Sequence, residues 1–351
     1  MPATRAVTVL ESFPSPRPTS VNPYTLLLAE SIRAEGATLL HFDWRTALVG
    51  RYDVFHVHWP EILVTGRTPF RQFVRQVLTW LLIHRLVVTR TAIVRTVHNL
   101  GTPSGLTASQ ARLLALLDRH TTLRVRLSEH TPVPHGTALA TIPHANFRSW
   151  FASYPRSAVV RGQLGYIGRI RRYKGVEALL EAFAATRHAA VVGIGSLVDA
   201  PLSARIAGYA SSPELEAAIH AMARTDDRVS VEFGFVPDSA IVDIVSSSEL
   251  VVLPYRLMHN SSAVITALSL DRPVLVPDNA VTRDLAEEVG QGWVYTFEGE
   301  LTPTAILDTL EKHRAAPPLA PPHLDGRSWK RSGAAHVAAF ERAIALRRGA
   351  R

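Results

Sequence analysis

Short apolar runs alternate with helix-like stretches twice along this chain, and that alternation constrains the fold more than any other feature. In the first half, runs at 7–10, 38–42, 54–57, 92–97 and 123–127 read as strands. Between them, 24–35, 70–88 and 109–119 carry helical spacing, with Asn22-Pro23 opening the first. A second series begins near Leu164, with strand-like runs at 164–167, 190–192, 229–233, 250–253 and 273–276. Strands separated by helices pair in parallel through right-handed crossovers, so each half is predicted to be a doubly wound α/β sheet. Ligands of such sheets bind outside the carboxyl ends of the strands, and two in tandem are expected to make a cleft. A polar, Pro-containing connection at 142–159 separates the two series. A stiff loop with Pro317-Pro318 and Pro321-Pro322 precedes a last helix at 336–346.

Length and composition agree with this division. A chain of 351 residues has room for two ordinary domains. With 47% hydrophobic and 19% charged residues it builds packed cores instead of staying disordered. Cysteine is absent, which excludes disulfides and thiolate metal sites and fits a reducing compartment. The start, Met1-Pro2-Ala3-Thr4-Arg5, has no leader pattern, and no apolar run reaches the roughly eighteen residues of a spanning helix. The expected setting is therefore cytoplasmic. A net charge of +8 points to an anionic partner. Nucleic acid, a membrane surface and a phosphorylated substrate all satisfy that charge.

The motifs narrow the choice. Leu164-Gly165-Tyr166-Ile167 leads into Gly168-Arg169-Ile170-Arg171-Arg172-Tyr173-Lys174-Gly175 and then a helix. A helix N-terminus favours anions, and Arg169 and Lys174 add two full charges where a diphosphate would sit. Three further features follow in order: Val191-Val192-Gly193-Ile194-Gly195, the segment from Gly234-Phe235-Val236-Pro237 to Leu253-Pro254-Tyr255-Arg256, and Asn260-Ser261-Ser262-Ala263 opening a helix. The glycine turn at 193–195 lacks the third glycine and the ribose-binding acid of a dinucleotide fingerprint, which argues against a dehydrogenase. No recognised nucleic-acid motif is present.

This ordered set resembles the C-terminal domain of GT-B glycosyltransferases, within the large family of bacterial lipopolysaccharide and exopolysaccharide transferases. The resemblance implies two Rossmann-like domains. The first would span 1–154 and regain a returning C-terminal helix at 330–351; the second, the nucleotide-sugar donor domain, would span 155–329. The implied activity is sugar transfer from a nucleotide-sugar donor, GDP-mannose or another hexose nucleotide, to a glycan or lipid-linked acceptor in polysaccharide biosynthesis. Arg169 and Lys174 would hold the diphosphate, Asn260, Ser261 and Ser262 the phosphate or ribose, and Tyr255 would lie near base or sugar. No cofactor and no metal are expected, because basic side chains and a helix end do that work. Ile142-Pro143-His144 resembles the strand closing the first domain, and Val94-Arg95-Thr96-Val97-His98-Asn99 a strand delivering a histidine, His98, towards the donor sugar. The chain departs from many relatives in lacking two glutamates eight residues apart: Thr266 stands at the second position, and Met258 or His259 at the first.

Three readings rest on the residues themselves. Glu61 is the first carboxylate after Asp53-Val54-Phe55-His56-Val57-His58-Trp59-Pro60, and an inverting transfer needs a group to take the acceptor's proton. His56 and His58 alternate on a strand, but without a third ligand at telling spacing they do not make a metal site. The stretch 67–95 sets Arg71, Arg75, Arg85 and Arg90 among Phe70, Phe73, Val77 and Trp80. Such a basic, aromatic, amphipathic helix suits peripheral contact with an anionic membrane, here the inner face of the cell membrane. The rival readings are a sugar-nucleotide epimerase of the same plan and a non-catalytic basic nucleotide-binding protein.

Overall fold

In the computed structural model, the described residues are 5–15, 22–98, 105–191, 201–256 and 258–349. The chain forms two compact units, Met1–Ala145 with Arg327–Arg351, and Asn146–Gly326. The first contains strands β1 (Thr8–Glu11), β2 (Thr38–Leu40), β3 (Val54–Val57), β4 (Ala92–Val97), β5 (Leu123–Arg126) and β6 (Ala138–Thr141), all parallel, in the order β2-β1-β3-β4-β5-β6. The second contains β7 (Gln163–Ile167), β8 (Ser203–Gly208), β9 (Val229–Phe233), β10 (Leu250–Val252), β11 (Val274–Pro277) and β12 (Val294–Phe297). These are also parallel, in the order β12-β11-β10-β7-β8-β9. The second order is that of a dinucleotide-binding sheet, with its switch point between β7 and β10. In the first unit the switch point falls between β1 and β3.

Alternation along the strands sorts the first sheet into two different faces. Leu10, Phe55 and Ile93 lie side by side and pack with Leu82, Ile83 and Leu86 of the helix Pro69–Val88. One residue along, Glu11, His56 and Val94 occupy the opposite face. There His56 meets His336 and Phe340, on the helix Trp329–Gly349. That helix lies against the helix Pro23–Ala34, so closely that a Cβ on Gly333 would stand 2.5 Å from the Ser31 carbonyl oxygen.

Four sequence expectations need correction. Ala190 and Val191 are the last residues of the helix Val176–Val191 and not a strand, because a short apolar run fits a buried helix as well as a strand. The strand beside β7 is β8, whose Ser203-Ala204-Arg205 start interrupts the apolar pattern. The strand closing the first sheet is β6, so Ile142-Pro143-His144 follows it and does not form it. The last helix starts seven residues earlier than its apolar periodicity indicates, at Trp329 instead of 336. Asn99 and the Val192-Gly193-Ile194-Gly195 turn lie outside the described residues.

Gly333→Ala is expected to force the two helices apart and lose about 1–3 kcal/mol of stability. A lowered urea midpoint in equilibrium unfolding checks this.

Candidate functional site

Both switch points carry polar clusters. In the second unit, β7 ends in Gly168, at φ 119°, and the chain then makes a short 3-10 turn over Arg172–Lys174 before Gly175. Gly175 takes φ 67°, and a Cβ there would lie 2.2 Å from the Pro254 carbonyl oxygen. Only glycine fits that approach. The Arg256 amide donates to the Tyr173 carbonyl at 2.8 Å, so the loop after β10 is stitched to the turn after β7.

This stitching gathers the predicted residues. Lys174 Nζ donates to the Tyr255 hydroxyl at 3.2 Å and stands 4.6 Å from the centre of its ring. A Cβ on Gly168 would meet Lys174 Nζ and the Ala263 methyl at the next helix's first turn, so lysine, glycine turn and helix start converge. That helix, Ser262–Ser269, is capped by Ser261, whose Oγ accepts from the Val264 amide. Burial raises the Tyr255 phenol above its ordinary value, against the Ser261 and Tyr166 hydroxyls beside it. Burial, with the Arg171 and Arg169 charges adding to it, lowers Lys174 to about 8. Arg169 is exposed, its guanidinium 5.9 Å from the Tyr209 ring centre. Asn260 is half-buried in the loop before the cap, and Ser262 is exposed. Met258 and Thr266, where the glutamates of many relatives would fall, are both buried.

In the first unit, Glu11 Oε1 stands 2.9 Å from His56 Nδ1 and Oε2 stands 3.2 Å from His58 Nε2. All three side chains are buried. Burial by itself would raise the Glu11 carboxyl, but the two imidazoles hold it well below the ordinary carboxylate range. The same burial pushes His58, His144 and His336 down. His56 Nε2 meets the Thr96 hydroxyl at 2.9 Å, and His58 Nδ1 meets His98 Nε2 at 2.9 Å. Tyr24 sets its ring edge against His98, and Trp59 stacks on it at 4.6 Å.

Sequence reasoning found His56, His58 and His98 but not Glu11. Only the register of β1 against β3 brings that carboxylate to them, and its signal was a lone acid closing an apolar strand. Glu11 is also the third potential ligand that the two histidines lacked: the donor atoms of the trio lie within 4.8 Å of one another. Glu11 Oε1 is hydrogen-bonded to His56 Nδ1, while Glu11 Oε2 and His58 Nε2 make no hydrogen bond.

Beside His98 opens a cavity of about 390 Å³, lined by His58, Trp59 and Glu61 on one side and by Arg95, Asp118 and Arg124 on another. Asp118 is paired with Arg95, and with Arg124 at 2.9 Å. Leu114, Ala115, Pro132 and Val133 supply an apolar floor. Glu61 is the first residue of the short helix Glu61–Val64.

Two units, each a parallel six-stranded sheet with one switch point, make up the GT-B fold. Residues 161–312 match the family model described as glycosyl transferases group 1. A GDP-mannose:glycolipid 4-beta-D-mannosyltransferase of Xanthomonas campestris pv. campestris is 36% identical over 350 residues, covering 98% of this chain and 96% of that protein. The chain belongs to this glycosyltransferase family. Among solved structures, the catalytic domain of starch synthase IV from Arabidopsis thaliana has a TM-score of 0.60 at 11% identity, covering 97% of this chain and 99% of that one. A glycosyltransferase involved in avilamycin A biosynthesis has a TM-score of 0.58 at 15% identity, covering 97% and 98%. These two likenesses concern the fold.

With Lys174 at about 8, nucleoside-diphosphate affinity is expected to be level below that pH, since the ammonium is charged before and after binding. It should fall as pH rises through 9, by up to about tenfold, as binding must then restore the proton. Calorimetric titration across this range checks it, and Lys174→Arg should remove the dependence.

Proposed function

We propose that this enzyme transfers mannose from GDP-mannose to a glycan carried on a lipid, inverting the anomeric carbon. The observation that carries the proposal is the convergence of Lys174, the Gly168 turn and the Ser261-capped helix at the β7/β10 switch point. The full-length relative, by its name, uses GDP-mannose and a glycolipid and makes a 4-beta linkage, which supports the choice of donor and acceptor. A β linkage made from an α-linked sugar nucleotide requires inversion, hence one base on the acceptor side.

In this reading Arg169 and Lys174 neutralise the departing diphosphate, and Asn260, Ser261 and Ser262 hold phosphate or ribose. Tyr255 positions the lysine. The acceptor glycan occupies the cavity beside His98, where Glu61 takes the proton of the attacking hydroxyl as the bond from anomeric carbon to diphosphate breaks. The chemistry needs no metal, since cationic side chains and amides stabilise the leaving group.

Lipid-borne acceptors require access to a membrane surface, and the helix Pro69–Val88 offers one. Phe70, Phe73, Val77, Trp80, Leu81 and Val88 form an exposed stripe on the side away from its core-facing residues, with Phe70 76% and Val88 82% exposed. Arg67, Arg71 and Arg90 are exposed around it. Arg75 and Arg85 instead turn inward, Arg75 to the Ile62 and Thr65 carbonyls and Arg85 to that of Gly50. No helix among the described residues is long and apolar enough to cross a membrane. The stripe supports peripheral docking on anionic lipid.

Three outcomes test this reading. Lys174→Ala or Arg169→Ala should lower transfer from GDP-mannose by about two to three orders of magnitude with folding unchanged. Glu61→Gln should lower kcat roughly a hundredfold while GDP affinity holds. Donor consumption with no acceptor and release of an epimerised sugar would overturn the transferase reading. For docking, co-sedimentation with phosphatidylglycerol-containing vesicles should weaken with salt and in a Phe73→Ser, Trp80→Ser double variant. Equal binding to neutral vesicles would sink the electrostatic part.

A further inference from the structure

We propose that Glu11, His56 and His58 form a binding site for one divalent transition-metal ion, zinc by its donor set, which ties the end of β1 to β3 beside the cavity that His58 lines. The site goes beyond the transferase reading and does not depend on it.

Residues distant in sequence supply the donors. Glu11 closes β1 and stands opposite His56 of β3, and alternation returns His58, two residues on, to the same face. One ligand atom from each lies within 4.8 Å of the other two. All three side chains are withdrawn from solvent. Hydrogen bonding satisfies only part of this cluster. His56 Nδ1 donates to Glu11 Oε1 at 2.9 Å, since a carboxylate only accepts. Glu11 Oε2 and His58 Nε2 make no hydrogen bond, although they stand 3.2 Å apart. A further buried nitrogen without one, His336 Nε2, belongs to a ring centred 5.5 Å from that of His56. Buried polar atoms are nearly always paired, so three gathered on one face of the sheet point to a ligand that takes lone pairs.

The distances and the surroundings suit a metal ion. Ligand atoms at about 2.0–2.1 Å on a tetrahedral zinc ion stand roughly 3.3 Å apart. The 3.2 Å between Oε2 and Nε2 matches two ligands sharing one ion. Two imidazoles and a carboxylate are a usual zinc set, with one position left for a further donor. His336 is at hand for it: its Nδ1 donates to the Ser332 carbonyl at 2.7 Å, which leaves Nε2 with a lone pair in the neutral ring. Histidines on a metal are oriented by partners on their other nitrogen. His56 Nε2 has the Thr96 hydroxyl at 2.9 Å, which accepts when His56 is a ligand and donates when it is not. His58 Nδ1 has His98 Nε2 at 2.9 Å. An ion held here fixes the His58 ring in the cavity wall. It lies in the first unit and takes no part in neutralising a diphosphate bound at the turn of the second.

The test is zinc titration of the full chain, stripped by chelator and followed by calorimetry and elemental analysis. Wild-type protein should retain one zinc per chain through gel filtration, with a raised thermal midpoint. Thr96→Val, which removes an outer partner, should weaken binding about tenfold to a hundredfold. Glu11→Gln and His58→Asn should each weaken it further than Thr96→Val and lose the thermal shift. The asparagine still places a polar atom towards His98 but does not reach the ion. X-ray absorption at the zinc edge should show nitrogen and oxygen at about 2.0–2.1 Å with scattering from at least two imidazoles. Wild-type protein that retains no zinc, or variants that bind as tightly as wild type, would overturn the proposal. If the Glu11 or His58 variant fails to fold, the absorption spectrum of wild-type protein decides, and a zinc shell without imidazole overturns it. None of these readouts uses sugar transfer, so a failure of the transferase reading is seen separately.

Discussion

Reversal of strand order at β1/β3 and at β7/β10 is the constraint on which the rest of this structure depends. Where neighbouring strands continue in opposite directions around the sheet, their following loops diverge and leave a crevice beyond the carboxyl ends. In the second unit that crevice receives the turn 168–175 and the loop 253–262, and the backbone bond from Arg256 to Tyr173 holds the two together. In the first unit it receives Glu11, His56 and His58. Every group assigned a role in transfer lies on, or one loop beyond, a strand that borders or neighbours a switch point.

The two crevices are electrostatically unlike. The second gathers cations and leaves Lys174 partly desolvated beside two arginines, which suits a ligand bringing two negative charges. The first sets His56 and His58 around a single buried carboxylate, with the rings of Phe13 and Tyr24 packed against His58 and burial lowering His58. The cationic turn and the buried carboxylate–histidine cluster thus lie in different units.

The helix Pro69–Val88 has a core-facing side and an exposed apolar stripe. Leu82, Ile83 and Leu86 anchor it to the sheet, its opposite stripe is exposed, and Arg75 reaches the carbonyls of Ile62 and Thr65, beside Glu61. Arg75 thus braces the segment that bears Glu61.

Much was legible in the chain because local rules decide it. Alternating apolar and amphipathic stretches, a helix capped at Ser261 and a glycine turn before two cations depend on neighbours within a few residues. They yielded the two parallel sheets and the cationic turn. The strand at β8 escaped notice because Arg205 and Ser203 break its apolar run, while 190–192 looked like a strand and is helix; such short runs are settled by packing. Sequence by itself therefore determined the two-sheet architecture, the glycosyltransferase family and the cationic turn. Tertiary structure alone decided the first unit's site. Glu11 meets His56 across 45 residues only because β1 and β3 pair in one register, and a slip of one residue would turn Glu11 to the opposite face of the sheet. Register between distant strands is a property of the assembled sheet, set by burial on both faces at once, and no window of neighbouring residues contains it.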